Sequence, residues 1–296
     1  MGSFVNSVFC RDSNFLESHF IGNANFGGTV FYRGPSFEAV NFEKNASFDL
    51  AEFKSEPSFN GAYFKRDATF NYAIFCKSVY FVGVNFGGDA NYTKTTFNKP
   101  VYLKEAIFSR FNVEWRQIKD KIDCDGATYL LLVRSFKNLE QFDNADDCYY
   151  DYREWRRNSN DVSTEKRSNW SKLYDFVSYA SCGYGVRLRF PLAWIFGSIF
   201  GLTFLYHIFD GITKSSPHEI TMISLNNSTM LFSSAYAETA PSFWECLYFS
   251  SLSFAGGTPV GLSPVGVWKY AVMMESVLGY LFLALFVVVL ARKLIR

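Results

Sequence analysis

Two carboxylates stand out as candidates for chemistry, because each interrupts an otherwise apolar stretch. Glu275 lies in Trp268 to Leu290, where Lys269 is the other charge, and Glu245 lies in Ser242 to Phe254 (SFWECLYFSSLSF). An acid in such a setting draws cations, pairs with a neighbour or accepts hydrogen bonds that hold a backbone in place. Glu245 has a further role open to it, because an acid at the start of a helix favours the N-terminal turn. Between the two runs Ala255-Gly256-Gly257-Thr258-Pro259-Val260-Gly261, continuing to Gly266 without charge. Its chemistry is that of the backbone, whose carbonyls are its main ligands. Other chemistries are poorly represented. There is no Gly-rich phosphate loop, no metal-ligand cluster and no GxSxG nucleophile motif, so an enzyme is not expected. Cys10, Cys76, Cys124, Cys148, Cys182 and Cys246 have no CxxC spacing, and only three His accompany them. That pattern fits neither a disulfide framework nor a zinc site, so the thiols are expected to be free and no cofactor is expected.

The elements that carry these residues are read from charge and hydropathy. Phe190 to Phe209 is free of formal charge, and Ser198, Thr203, Tyr206 and His207 are its polar interruptions. Such a stretch is long enough to cross about 30 Å of hydrocarbon. Trp268 to Leu290 is a second spanning stretch and ends in Ala291-Arg292-Lys293-Leu294-Ile295-Arg296. Arg187 and Arg189 precede the first span, whereas residues 210–245 hold Lys214 against Asp210, Glu219, Glu238 and Glu245. The excess of basic residues outside the pair of spans predicts that both termini are cytosolic. Met1-Gly2-Ser3 opens no apolar run, so no secretory signal is read there. Residues 242–254 are too short to cross. A Gly- and Pro-rich loop at membrane depth is tolerated where protein buries it or where it lines a watery path, which predicts a re-entrant helix and loop over 242–266.

This order of span, short helix, loop and span resembles the two-span tetrameric cation channels of the potassium-channel superfamily over about 190–296. Tyr248-Phe249-Ser250 matches the end of the usual pore helix. Glu275 with Gly279 matches the inner-helix pattern "E..lG", in which the glycine is a hinge, and Phe286 falls with them in the inner-helix gate that the resemblance implies. The filter departs from the family. Aligned without gaps, the usual TTVGYGD falls on Ala255 to Gly261, and Thr258 and Val260 stand where glycines turn carbonyls toward the axis. Pro259 removes an amide donor there. A wider, weakly selective cation path is therefore expected in place of a potassium filter.

At the other end of the chain the 33 Phe are not scattered. Phe4, Phe9, Phe15, Phe20, Phe26 and Phe31 begin a ladder that steps five and six residues alternately to Phe108. Small or β-branched residues sit two before most rungs, as at Ala24, Ala46, Ala68 and Ala90. The unit is eleven residues. Period 3.6 would scatter these rungs around a helix and period 2 would alternate their faces, so a stacked solenoid is the architecture that points every rung inward. Residues 4–108 resemble the pentapeptide-repeat family in its eleven-residue Phe/Ala variant. The resemblance implies a right-handed quadrilateral β-helix with roughly five coils. Some members mimic DNA with an acidic surface. Residues 1–110 carry 11 Lys/Arg against 10 Asp/Glu, so no nucleic-acid role is expected.

Between ladder and spans, Tyr129, Leu132, Phe136, Leu139 and Phe142 recur at helical spacing, and Ala145, Cys148, Tyr149, Tyr152 and Trp155 repeat it after a polar break at Asp143-Asn144. A helical hairpin capping the solenoid is predicted, followed by a linker over Asn158 to Ser168. Trp170, Leu173, Phe176, Val177 and Ala180 then form an apolar stripe near Lys172, Arg187 and Arg189, suited to a helix on the cytosolic membrane surface. Gly183-Tyr184-Gly185 copies a potassium-filter tripeptide but precedes the first span, and is read as a turn.

The expected organisation is therefore a multidomain membrane protein. It has a cytosolic β-helix over 1–110, a helical connector and surface helix over 111–189, and a two-span pore domain over 190–296. The latter divides into a first span at 190–209, a pore helix at 242–254, a filter loop at 255–266 and an inner helix at 268–290. The expected function is a homo-oligomeric, tetrameric channel of the prokaryotic type in the cell's inner (plasma) membrane. Permeant cations are its only expected small ligands, and the solenoid serves assembly, gating or the binding of a cytosolic partner or ligand. The alternative is a non-conducting membrane-anchored scaffold.

Overall fold

The computed structural model describes residues 2–158, 169–214, 221–225, 228–232 and 240–295. It comprises two compact units, Met1–Arg167 and Ser168–Arg296. The segment read as a connector, 111–189, is thus shared between them. Of the expected 158–168 linker, residues past Asn158 lie outside the described part.

In the first unit the Phe ladder builds a β-solenoid of about six turns. Each turn places short strands directly over those 22 residues earlier: Ala24 pairs with Ala46, Ala46 with Ala68, and Ala68 with Ala90, all in parallel register. Because the register is fixed, identical side chains stack. Phe4, Phe26, Phe48, Phe70 and Tyr92 form one column with ring centroids 4.8, 4.9, 4.8 and 4.8 Å apart. Columns also begin at Phe9, Phe15 and Phe20, so four stacks fill the interior. The ring spacing is the strand spacing of about 4.8 Å. From Phe26 to Phe81 every ring of the ladder is fully buried, each contributing roughly 1.5–3 kcal/mol by leaving water. The alanines two before the rungs are buried as well, where a larger side chain would push the wall outward.

The stack is one turn longer than the expected five. Ile107–Asn112 pairs with Asn85–Asn91 through an irregular register after Phe86, and Ile122–Asp123 pairs with Val101–Tyr102, so the solenoid continues past its last regular rung.

The open C-terminal end is covered by α1 (Trp115–Ile118), α2 (Gly126–Asn138) and α3 (Phe142–Asn158). Asp125 caps α2 by accepting from the Thr128 amide at 2.9 Å. Ser135 of α2 is fully buried and its hydroxyl takes the Phe111 amide at 2.6 Å, satisfying a donor of the terminal strand. Trp115 is also fully buried, and its indole N–H donates to Asp151 of α3 at 2.7 Å. The break between α2 and α3 falls at Leu139-Glu140-Gln141, earlier than the polar pair Asp143-Asn144. Glu140 adopts φ 58°, which turns the chain, and Phe142 opens α3 instead of closing α2.

The second unit holds α4 (Asn169–Cys182), a single 3-10 turn at Gly183–Gly185, α5 (Arg189–Ile208), α6 (Phe243–Phe254) and α7 (Trp268–Leu294). The α5 and α7 helices are long and apolar enough to cross a membrane, with mean hydropathy 1.4 and 2.3 in their most apolar windows. Ile212–Lys214, after α5, pairs antiparallel with Leu262–Pro264, before α7. A second antiparallel pair, Thr221–Leu225 with Ser228–Phe232, lies in the long connection from α5 to α6.

Candidate functional site

The centre of the helical unit is Glu275. It is fully buried on α7, and it receives hydrogen bonds from two other helices. The Tyr206 hydroxyl of α5 donates to its Oε2 at 2.9 Å, and the Ser250 hydroxyl of α6 donates to its Oε1. Ser250 also lies 3.1 Å from the Ile199 carbonyl, a second acceptor on α5. Both hydroxyls are themselves fully buried, so one carboxylate ties three helices together with no water-facing partner. Phe249, beside Ser250, packs edge-on against Tyr206 at 5.7 Å, and Trp268 closes the other side of that phenol at 5.6 Å.

The same face of α7 meets the end of α6 closely. Glu275, Gly279, Phe282 and Val289 are buried at spacings of four, three and seven, one stripe of a helix. A Cβ on Gly279 would lie 1.8 Å from the Phe254 carbonyl oxygen at the end of α6. Ser276, next to it, donates to the Ser253 carbonyl at 2.8 Å. Of the last carbonyls of α6, that of Ser253 thus accepts from α7 as well as from the Gly256 amide, and that of Phe254 lies against Gly279. Gly279 stands where two backbones touch, within a continuous helix. Phe286 is half-buried further along α7.

Glu245 is at the opposite end of α6. It closes a capping box with Ser242, whose backbone N–H donates to Oε2 at 2.8 Å, and it pairs with Lys214 at 3.0 Å. Lys214 belongs to the ribbon with Leu262–Pro264, so the ion pair anchors the start of α6 to the strand that follows the loop. Neither Tyr206 nor Lys214 was singled out in the sequence as a partner. Tyr206 carried one signal, a phenol in an otherwise apolar span.

The loop leaves α6 at Ala255. Gly256 takes φ 80° and Gly261 φ 76°, conformations that suit glycine, and a Cβ on Gly256 would meet the Tyr280 hydroxyl at 2.0 Å. Thr258 and Val260 are not among the residues with positive φ. Ala255 to Thr258, Val260 and Gly261 are exposed in the single chain and Pro259 is half-buried, with Val260 reaching 85% exposure. Tyr248, on the outer face of α6, is half exposed.

Residues 59–107 match the family model for pentapeptide repeats, in nine copies. The solenoid extends beyond the match on both sides, from Gly2 to Asp123, with the same 22-residue register over most of its length. Neither the curated proteins nor the solved structures contain a match to this chain.

Proposed function

We propose that the chain forms an oligomeric, tetrameric ion channel in a cell's inner (plasma) membrane, conducting cations with weak or no selectivity. The carrying observation is that α6, short and apolar, is held between two span-length helices by the Glu275 network and delivers a glycine-containing exposed loop. Backbone of that kind at membrane depth needs either protein around it or a water-filled path. Copies arranged about an axis would supply both. The outer faces of α5 and α7 favour the same reading: 17% and 22% of their most apolar windows are buried within the chain, which leaves large apolar surfaces for lipid and for neighbouring copies. Thr258, Pro259 and Val260 in the loop support poor discrimination, since they do not repeat the backbone geometry of a dehydrating filter. In this reading α6 is the pore helix, Ala255 to Gly261 line the path, Glu275 positions the pore helix, and the solenoid serves assembly or gating. Both termini are cytosolic.

Flux through liposomes holding the purified protein tests this. Cation-dependent conductance is expected, and silence under every ion gradient would sink it. A second reading, a non-conducting scaffold, draws on the absence of the usual filter residues. Oligomeric state separates the two, because a monomer or dimer in detergent cannot surround an axial path.

A further inference from the structure

The solenoid register creates a pattern of charge that the packing of the solenoid does not explain. Because Ala24, Ala46 and Ala68 are stacked in register, the residues two before them, Gly22, Lys44 and Arg66, occupy the same corner of three successive turns. Stacked corners are about 4.8 Å apart, a distance at which like charges on neighbouring strands repel. Lys44 and Arg66 are exposed, and among the described residues no carboxylate pairs with either. The nearby acids are already engaged. Glu43 accepts from Lys65 at 2.7 Å, His19 at 3.1 Å and Asn41 at 3.1 Å, contacts that hold its carboxyl below the usual range. Asp67 accepts the Asp89 amide at 2.9 Å.

The corner is also concave. An open groove of about 900 Å³ lies over the first three turns, lined by Lys44, Lys65 and Arg66 together with Asn23, Asn45, Glu43 and Asp67. Lys65 is taken by Glu43 and one oxygen of Asp67 by the Asp89 amide, which leaves Lys44 and Arg66 as the cations of the depression without a carboxylate partner. A planar guanidinium beside an ammonium suits a phosphoryl group, which the guanidinium grips in two places.

We propose that this groove binds a soluble phosphate-bearing small molecule, with Lys44 and Arg66 as its principal contacts. The site lies wholly within the solenoid and does not depend on the pore reading, so either can fail alone. Pyrophosphate is the probe, titrated into the full-length protein in detergent at low ionic strength and followed by calorimetry and by the unfolding midpoint. Saturable binding is expected, weakened about tenfold or more in K44A/R66A, a change of two exposed side chains. Gly22→Asp places a resident carboxylate one turn from Lys44 in the same stack and is expected to weaken binding while raising the midpoint of the ligand-free protein. Absence of binding to the unmodified protein overturns the proposal. So does binding that K44A/R66A leaves unchanged, which would place the anion elsewhere.

Discussion

The Tyr206 hydroxyl donates to Glu275 Oε2 at 2.9 Å, joining residues 69 positions apart across the two span-length helices. With Ser250 on the other oxygen, the carboxylate satisfies two buried hydroxyls at once. Glu275→Ala leaves the Tyr206 hydroxyl without an acceptor, at a cost of roughly 1–3 kcal/mol, and confines the Ser250 hydroxyl to the Ile199 carbonyl. Glu275→Gln keeps the volume and one carbonyl acceptor and is expected to lose clearly less. Unfolding of the detergent-solubilised protein, followed by tryptophan fluorescence, orders the variants. An alanine variant as stable as the parent would show that the network contributes nothing.

Tyr92 occupies a rung otherwise filled by Phe4, Phe26, Phe48 and Phe70, and its ring stacks on Phe70 at 4.8 Å. Its hydroxyl is buried and finds no partner among the described residues, and burial pushes its pKa up. An unmatched buried hydroxyl costs free energy that the phenyl ring does not incur. Tyr92→Phe is therefore expected to stabilise the solenoid by about 1–2 kcal/mol, read from a denaturant midpoint with an unchanged slope. A loss of stability would mean that the hydroxyl is satisfied.

A second ladder runs through the solenoid beside the Phe ladder. Asn6, Glu17, Gly28, Ala39, Leu50, Gly61, Tyr72, Gly83, Lys94 and Glu105 all take φ between 53° and 65°, one every eleven residues. Each turns a corner in the left-handed region, where a Cβ costs about 1–2 kcal/mol. Leu50 is 66% exposed and has little packing to lose, so Leu50→Gly is expected to gain about 0.5–1 kcal/mol after the entropy of the unfolded chain is counted. Gly61→Ala should lose about 1 kcal/mol, although a Cβ there meets nothing within 4 Å. Equal effects of the same sign in both variants would refute the conformational argument.

These corners also explain what the sequence could disclose. The inward rungs repeat one residue type because the interior admits little else, so their period was visible. The corner residues face solvent, and Leu50, Tyr72 and Lys94 share no chemical type, so the ladder of positive φ emerges only from the backbone. The helix junction moved for a related reason: Phe142 fits the apolar period of α2 but belongs to α3, and the turn is made by Glu140, whose type does not announce it. In the helical unit the two span-length helices were legible from their long apolar runs, the first free of charge and the second interrupted by Lys269 and Glu275. The contact of Glu275 with Tyr206 was not, because nothing local to either residue encodes its partner.

Buried thiols give a pH test. Burial pushes the Cys124 and Cys148 thiols up, Cys148 being fully buried on α3 against the Tyr129 carbonyl of α2, whereas Cys10 is exposed. A thiol with a raised pKa holds less nucleophilic thiolate at a given pH, so moderate alkalinity should not activate these two. Alkylation of the folded protein at about pH 8, mapped by mass spectrometry, is expected to modify Cys10 and spare Cys124 and Cys148 until denaturant is added. Because the folded pKa values lie above the unfolded ones, these thiols favour unfolding as pH rises past the unfolded value, near 8.5. Early labelling of Cys148 in the folded state would contradict a closed cap.

Gly279 separates a hinge from a contact. The channel resemblance assigns it to bending, but its surroundings argue that its missing side chain is what lets α7 reach the Phe254 carbonyl. Gly279→Ala must drive the helices apart or shift the end of α6, a cost of about 1–3 kcal/mol or more for overpacking a buried site. Gly201→Ala, on α5, is the control: its Cβ would meet nothing within 4 Å, and its effect is expected within about ±0.5 kcal/mol. If Gly279 acts through contact, Gly279→Ala lowers the unfolding midpoint and the yield of assembled oligomer, and displaces the loop that follows α6. If it acts through bending alone, assembly and midpoint stay at the parent values while open probability changes. Because Ser276 holds the neighbouring Ser253 carbonyl, Ser276→Ala should weaken the same junction in the same direction, by about 1 kcal/mol. Parallel losses in the two variants, with Gly201→Ala unaffected, would establish the α6–α7 junction as a contact that fixes the loop.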